Sequence, residues 1–168
     1  MARRRECSVS CLEYLNMEIV RYYQRQKNGP TLQAALSAIG QRVGAQLVER
    51  FSREKPLLSE PLDVMKFICR DLWPEVFQKS VDNLRTNHLG TFVLRDVQFR
   101  WLIHLYQSQL SEVPGESAAF IARADLASDY LHLPCAIIQG ALGALGLTAS
   151  VTSDAGQLPQ CDFTVTIS

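Results

Sequence analysis

The spacing of apolar residues changes along this chain, and that change constrains the fold more tightly than any other feature. Between Leu12 and Phe77 apolar side chains return every three or four residues. At the other end Cys161, Phe163, Val165 and Ile167 alternate with Asp162, Thr164 and Thr166. The first period belongs to helices with one buried face, the second to a strand. A chain that is helical first and strand-forming last is expected to lay helices on a sheet of adjacent hairpins, an α+β fold with a four-stranded antiparallel sheet.

The elements follow from the same reading. Leu12, Leu15, Ile19 and Tyr22 form the stripe of a first helix, ended by Asn28-Gly29-Pro30. A second helix opens near Thr31 and carries Leu32, Leu36, Ile39, Val43 and Leu47. Gly40 and Gly44 lie four apart on the same side, a spacing that lets another backbone come close. A third helix has Ser59 as N-cap and Pro61 in its first turn, and buries Val64, Phe67, Ile68, Leu72, Val76 and Phe77. Pro74 should kink it or end its first segment.

Thr91–Asp96 and Gln98–Ile103 are rich in β-branched and aromatic residues and are expected as a strand pair, with Arg95 and Asp96 in its tight hairpin. Glu112–Glu116, containing Pro114 and Gly115, is expected as a surface loop. Residues 117–133 are weakly patterned helix, after which Pro134 introduces a short apolar helix, Cys135 to Leu145, ended by Gly146. Thr148–Ser153 is expected as a strand and Asp154–Pro159 as a turn.

No repeat or low-complexity tract divides the 168 residues, so residues 11–168 are expected as one domain behind a flexible arm of residues 1–10. An apolar share of 47% against 20% charged excludes bulk disorder. The 17 basic and 17 acidic residues cancel, which argues against a general nucleic-acid binder. Residues 1–55 carry 10 Lys/Arg against 5 Asp/Glu, so a local membrane or acidic contact through the basic N-terminal third stays open.

Five scattered cysteines, Cys7, Cys11, Cys69, Cys135 and Cys161, form no CxxC pair and read as reduced thiols. Arg3–Arg5 are followed by Glu6 rather than an apolar run, so no secretory signal is expected. The apolar Leu131–Leu147 stretch is interrupted by Pro134 and Gln139 and its helical part is too short to span a bilayer.

Catalytic patterns are missing. There is no G-x-S-x-G elbow, phosphate loop or H-E-x-x-H, and His88, His104 and His132 share no ligand spacing. Gly140, Gly143 and Gly146 sit in apolar fill that suits a packed helix better than a phosphate site. The Asp82–His88 run reads as a solvated connection or as a docking loop. Cys7 and Cys11 beside the arginines suit either acylation or a frayed terminus. No enzyme activity, cofactor or metal is expected. The first two helices carry wider apolar stripes than a small sheet need cover, and surplus apolar helix surface signals a partner interface.

Met65-Lys-Phe-Ile-Cys-Arg-Asp-Leu-Trp73, then Val76-Phe77, then Asp82-Asn-Leu-Arg-Thr-Asn-His-Leu-Gly90 resembles the subunit-six branch of the small subunits of the transport protein particle (TRAPP), the Bet3-like family. The likeness continues in Gly44–Phe51, Ile138–Leu142, Val151-Thr152 and Cys161–Phe163, and covers the chain from about residue 12. It implies helices packed on a four-stranded antiparallel sheet and pairing through the first two helices with the subunit-three homologue. It further implies a scaffold role in a vesicle-tethering complex of ER-to-Golgi and Golgi traffic, supporting a Rab nucleotide-exchange assembly without carrying the exchange site. Location would be cytoplasmic and peripheral at ER and Golgi membranes.

On that resemblance Leu12, Leu15, Ile19, Tyr22, Leu36, Ile39, Gly40, Val43, Gly44 and Leu47 are the interface candidates. When no partner is present, a homodimer and a monomer both stay open. The chain departs from the branch in a longer 104–127 segment, in Pro74, and in its unmatched first ten residues. Subunit three carries an acyl-modifiable cysteine before its third helix, and Glu54–Leu62 here has none. The alternative function is a small hydrophobic-ligand-binding module of related fold, with a cavity lined by Ile137, Ile138 and Val165.

Overall fold

The computed structural model describes residues 8–26, 29–53, 55, 58, 60–103, 105 and 117–168. Residues 1–7 of the arm, Asn28, Ser59, His104 and the 112–116 loop lie outside them. Helix α1 (Val9–Arg25) begins inside the segment assigned to the arm. Helix α2 (Leu32–Phe51) opens where expected, with Thr31 Oγ1 accepting the Ala34 N–H at 3.3 Å.

Helix α3 (Pro61–Phe67) begins on Pro61, as its sequence requires, with Glu60 at the cap. It then widens into a π turn, Ile68–Leu72, in which Trp73 N–H bonds to the Ile68 carbonyl. The last segment, α4 (Trp73–Phe77), carries Pro74 in its first turn and ends on Gln78 in the left-handed region, φ 57°. Proline has no N–H to give, and the change of hydrogen-bond register ahead of it means that none is required. The break therefore falls at Ile68, one turn before the proline.

Two expectations need correction. The strand that pairs with Thr91–Asp96 (β2) is Asn83–Thr86 (β1), not Gln98–Ile103. Arg95 and Asp96 accordingly end β2 rather than form a hairpin, and His88 sits in the β1–β2 turn. Phe99, Trp101 and Leu102 turn inward through a 3₁₀ turn, Arg100–Leu102, and are buried among aromatic rings. Trp73, Phe77, Phe99, Trp101 and Phe163 form that cluster, with ring centroids 4.6 Å apart for Trp73–Phe77 and 5.2 Å for Phe99–Phe163. Core burial outweighs strand preference there.

The second correction concerns Pro134. It lies inside one long helix, α5 (Ser117–Ala144), rather than at the start of a short one, and His132 precedes it within the same helix. An interior proline costs roughly 3 kcal/mol. Ala127, Tyr130, Leu131, Leu133, Ala136, Ile137, Ile138, Ala141 and Leu142 of this helix are all buried. At roughly 1.5–3 kcal/mol for each large apolar side chain, their burial exceeds the proline term several-fold. Gly146 ends α5 as expected, at φ 84°, with Leu147 N–H on the Leu142 carbonyl at 3.0 Å.

Strands β3 (Ala149–Asp154) and β4 (Cys161–Ile167) complete an antiparallel sheet of order β1-β2-β4-β3. Its inner face, Phe92, Leu94, Cys161, Phe163 and Val165, meets the helices. The opposite face is polar, and on it Arg95 and Asp162, directly opposed in register, form a two-point pair at 2.8 and 2.5 Å.

Candidate partner interface

The contact between α2 and α5 sets how the candidate surface is held. A Cβ on Gly44 would stand 2.0 Å from the Ile137 carbonyl oxygen and 2.8 Å from Ala141 N. On Gly40 it would stand 2.5 Å from the Ala136 Cβ. The fit is mutual, because a Cβ on Gly140 of α5 would lie 2.1 Å from the Gln41 carbonyl oxygen. The close backbone approach that Gly40 and Gly44 foretell is therefore made within the chain. Gly40 and Gly44 are buried at this contact and Leu36 is buried in the core, so these three interface candidates offer no surface to a second molecule. The sequence shows that a backbone comes close there but not whose backbone it is.

The remaining seven candidates divide by exposure. Leu12, Leu15 and Tyr22 stand 43%, 55% and 58% exposed, whereas Ile19, Ile39, Val43 and Leu47 are half-buried and pack against the core. At ~100° per residue, Tyr22, Leu15, Ile19 and Leu12 span an arc of roughly 80° on α1. That arc adjoins the inward-facing Asn16 and Val20 rather than opposing them. Helix α1 thus has one wide apolar side, of which the chain covers only a part.

The inward part is held by Val20, by the Glu13–Arg100 ion pair at 2.9 Å, and by Gln24 donating to Asp129 at 2.6 Å. Tyr14, 66% exposed, extends the exposed surface and was missed in sequence because it lies off the stripe. Together α1 supplies four of the seven exposed large hydrophobics found among the described residues, the others being Leu62, Leu89 and Val97.

Groups outside this surface have structural roles. Asp96 is fully buried, accepting from Lys79 Nζ at 2.6 Å, from Gln98 N at 3.0 Å and from Trp73 Nε1 at 3.4 Å. Lys79 is shared with Asp82, which also accepts the Val97 N–H at 2.8 Å. Burial alone would raise the Asp82 carboxyl, but the Lys79 and Val97 bonds outweigh it and hold the group below its usual range. The Asp82–His88 run is a hydrogen-bonded hairpin: Asn87 Oδ1 accepts from Leu89 N and Thr91 N, and Thr86 Oγ1 from His88 N, with His88 at φ 57°.

Burial pushes the Cys69 thiol up to about 12, against the pull of Arg70, and raises Cys135 and Cys161 as well. Ile137, Ile138 and Val165 belong to the continuous core, 4% exposed at most, and line none of the cavities described among these residues. Among the described residues no cluster of three His, Cys, Asp or Glu could hold a metal ion, and no helix is long and apolar enough to cross a membrane.

Comparison with known proteins gives this surface a context. Residues 12–168 match the family described as "Transport protein particle (TRAPP) component". The chain is 36% identical over 159 residues to trafficking protein particle complex subunit 6b of Danio rerio, covering 92% of this chain and 94% of that one. It is 42% identical over 132 residues to subunit 6B of Mus musculus, with 79% and 76% covered. With human subunit 6A the identity is 40% over 134 residues, covering 80% and 77%. Among solved structures, subunit 3 of Naegleria fowleri, covalently bound to palmitic acid, superposes with a TM-score of 0.64 over 96% of this chain and 97% of that one. At 14% identity that likeness speaks to the fold alone. The match from Leu12 to the C-terminus and the subunit-six relatives together show that the chain belongs to the TRAPP component family, in its subunit-six branch.

Proposed function

We propose that the chain is a structural subunit of a vesicle-tethering TRAPP particle and pairs with the subunit-three homologue through α1 and the adjoining side of α2. Association with other TRAPP subunits follows from family membership. The finer reading rests on one observation: the apolar side of α1 is left uncovered at Leu12, Tyr14, Leu15 and Tyr22, and Ile39, Val43 and Leu47 stand half-buried on the next helix. In the assembled particle this subunit supports a Rab nucleotide-exchange assembly without carrying the exchange site, and works in ER-to-Golgi and Golgi traffic, peripheral to those membranes. Residues 11–168 act as one domain in that role.

The test is light scattering on a sizing column, with the chain alone and co-expressed with a subunit-three homologue. A 1:1 complex is expected, and a monomer that ignores the partner overturns the reading. Leu15→Asp and Tyr22→Asp are the variants to use, because Ile39 and Val43 also touch the core. Each loses about 2 kcal/mol or more if it removes an anchor, a weakening of roughly thirtyfold. Unchanged pairing by the double variant would remove α1 from the interface.

A further inference from the structure

Asn16 is 4% exposed and, with Asp96, one of two buried polar residues among those described. Asp96 is fully partnered, but the Asn16 Oδ1 oxygen is enclosed and has no hydrogen-bond partner among the described residues. Beside it lies a cavity of about 10 Å³ lined by Glu13, Asn16, Met17, Trp101 and Tyr130. That volume is about one water-sized sphere, and the lining includes a carboxylate, a phenol and an indole besides the amide. A cavity of this size with an unpartnered acceptor in its wall is polar enough and roomy enough to hold one water.

We infer that this joint is a binding site for a single structural water, which donates to Asn16 Oδ1 and is held by the polar groups of Glu13, Trp101 and Tyr130. The site explains a polar residue where the pattern asks for an apolar one. Leucine at position 16 would merge Leu12, Ile19 and Val20 into one unbroken apolar arc, and nothing would mark which part of it faces inward. An asparagine with its water gives the arc a polar address, as a single buried asparagine does in a helix pair.

A high-resolution crystal structure of the full chain, alone or with its partner, decides the matter. The expected result is one density peak within hydrogen-bonding distance of Asn16 Oδ1 inside this cavity, matched in solution by long-lived water cross-peaks to the Asn16 side-chain amide. An empty cavity, or a direct bond from Tyr130 or Trp101 to Oδ1, overturns the inference. Asn16→Leu should lose the peak while keeping α1 docked. Should that variant not fold, the wild-type density and cross-peaks decide alone.

Discussion

Adding one methyl group at Gly44 should cost about as much stability as truncating a large core side chain to alanine. The new Cβ would stand 2.0 Å from the Ile137 carbonyl oxygen, a backbone atom fixed by its own helix. Real carbon–oxygen contacts begin near 3 Å, so α2 and α5 must separate by roughly 1 Å. A gap of that size forfeits a quarter to a half of each dispersion contact along the seam. That seam includes Leu36, Val48, Leu133, Ile137 and Ala141, all buried. Alanine gains back up to ~1 kcal/mol in helix propensity. Overpacking costs of 1–3 kcal/mol, with these neighbouring losses added, leave a net destabilisation of about 2–4 kcal/mol.

Gly143 is the matched control, since nothing lies within 4 Å of a Cβ placed there. Gly143→Ala should raise stability by up to ~1 kcal/mol through propensity alone. Urea unfolding followed by far-UV circular dichroism reads both, with similar slopes expected and midpoints moving in opposite directions. If Gly44→Ala proves as stable as wild type, or Gly143→Ala falls with it, the close-packed seam is not what holds α2 on α5.

Three further outcomes follow from named groups. Asp96→Ala strands Lys79 and removes the acceptor of the Trp73 and Gln98 bonds, and should cost about 3 kcal/mol or more in a urea titration. Asp82 has a folded carboxyl held below its ordinary value, so its contribution is present above an unfolded pKa of about 3.9 and lost as pH falls through the folded value. Wild type and Asp82→Asn should therefore differ in urea midpoint at pH 6 and converge toward pH 2. The effect is modest, because the side chain is 38% exposed. Among Cys11, Cys69, Cys135 and Cys161, a thiol reagent at pH 8 should modify Cys11 first by mass spectrometry. The other three should react only as the protein unfolds, because burial keeps them protonated.

Much of the fold could be read in advance, and the failures have physical causes. The helix ends at Thr31, Pro61 and Gly146 carry local chemistry that a sequence displays, and β4 alternates cleanly because one face meets the core and the other does not. Strand β1 was invisible because it is an edge strand of four residues, where Asn83 and Arg85 face water and only Leu84 and Thr86 turn inward. Gln98–Ile103 looked like a strand because aromatic residues suit strands, but they suit an aromatic core equally well. Pro134 marked an end in sequence because the local penalty is local, while the burial that outweighs it comes from elements distant in the chain. The candidate surface divides in the same way. An apolar stripe says that a side is covered, and only the three-dimensional packing says by what.

That distinction bears on how α1 works. Helix α2 is locked by backbone-to-backbone packing at three glycines, so its exposed edge is presented rigidly. Among the described residues, helix α1 is attached through side chains, with Asn16 and Val20 buried, Met17 and Ile19 half-buried against the core, the Glu13–Arg100 ion pair and a side-chain bond at Gln24. An element with few buried apolar contacts opens at a lower free energy than the core it rests on. Burying Leu12, Leu15 and Tyr22 against a partner would add roughly 1.5–3 kcal/mol for each large side chain fully covered. Pairing through α1 would thus supply much of the free energy that orders α1. On the proposed pairing, the helix that meets the partner is also the one whose order gains most from meeting it.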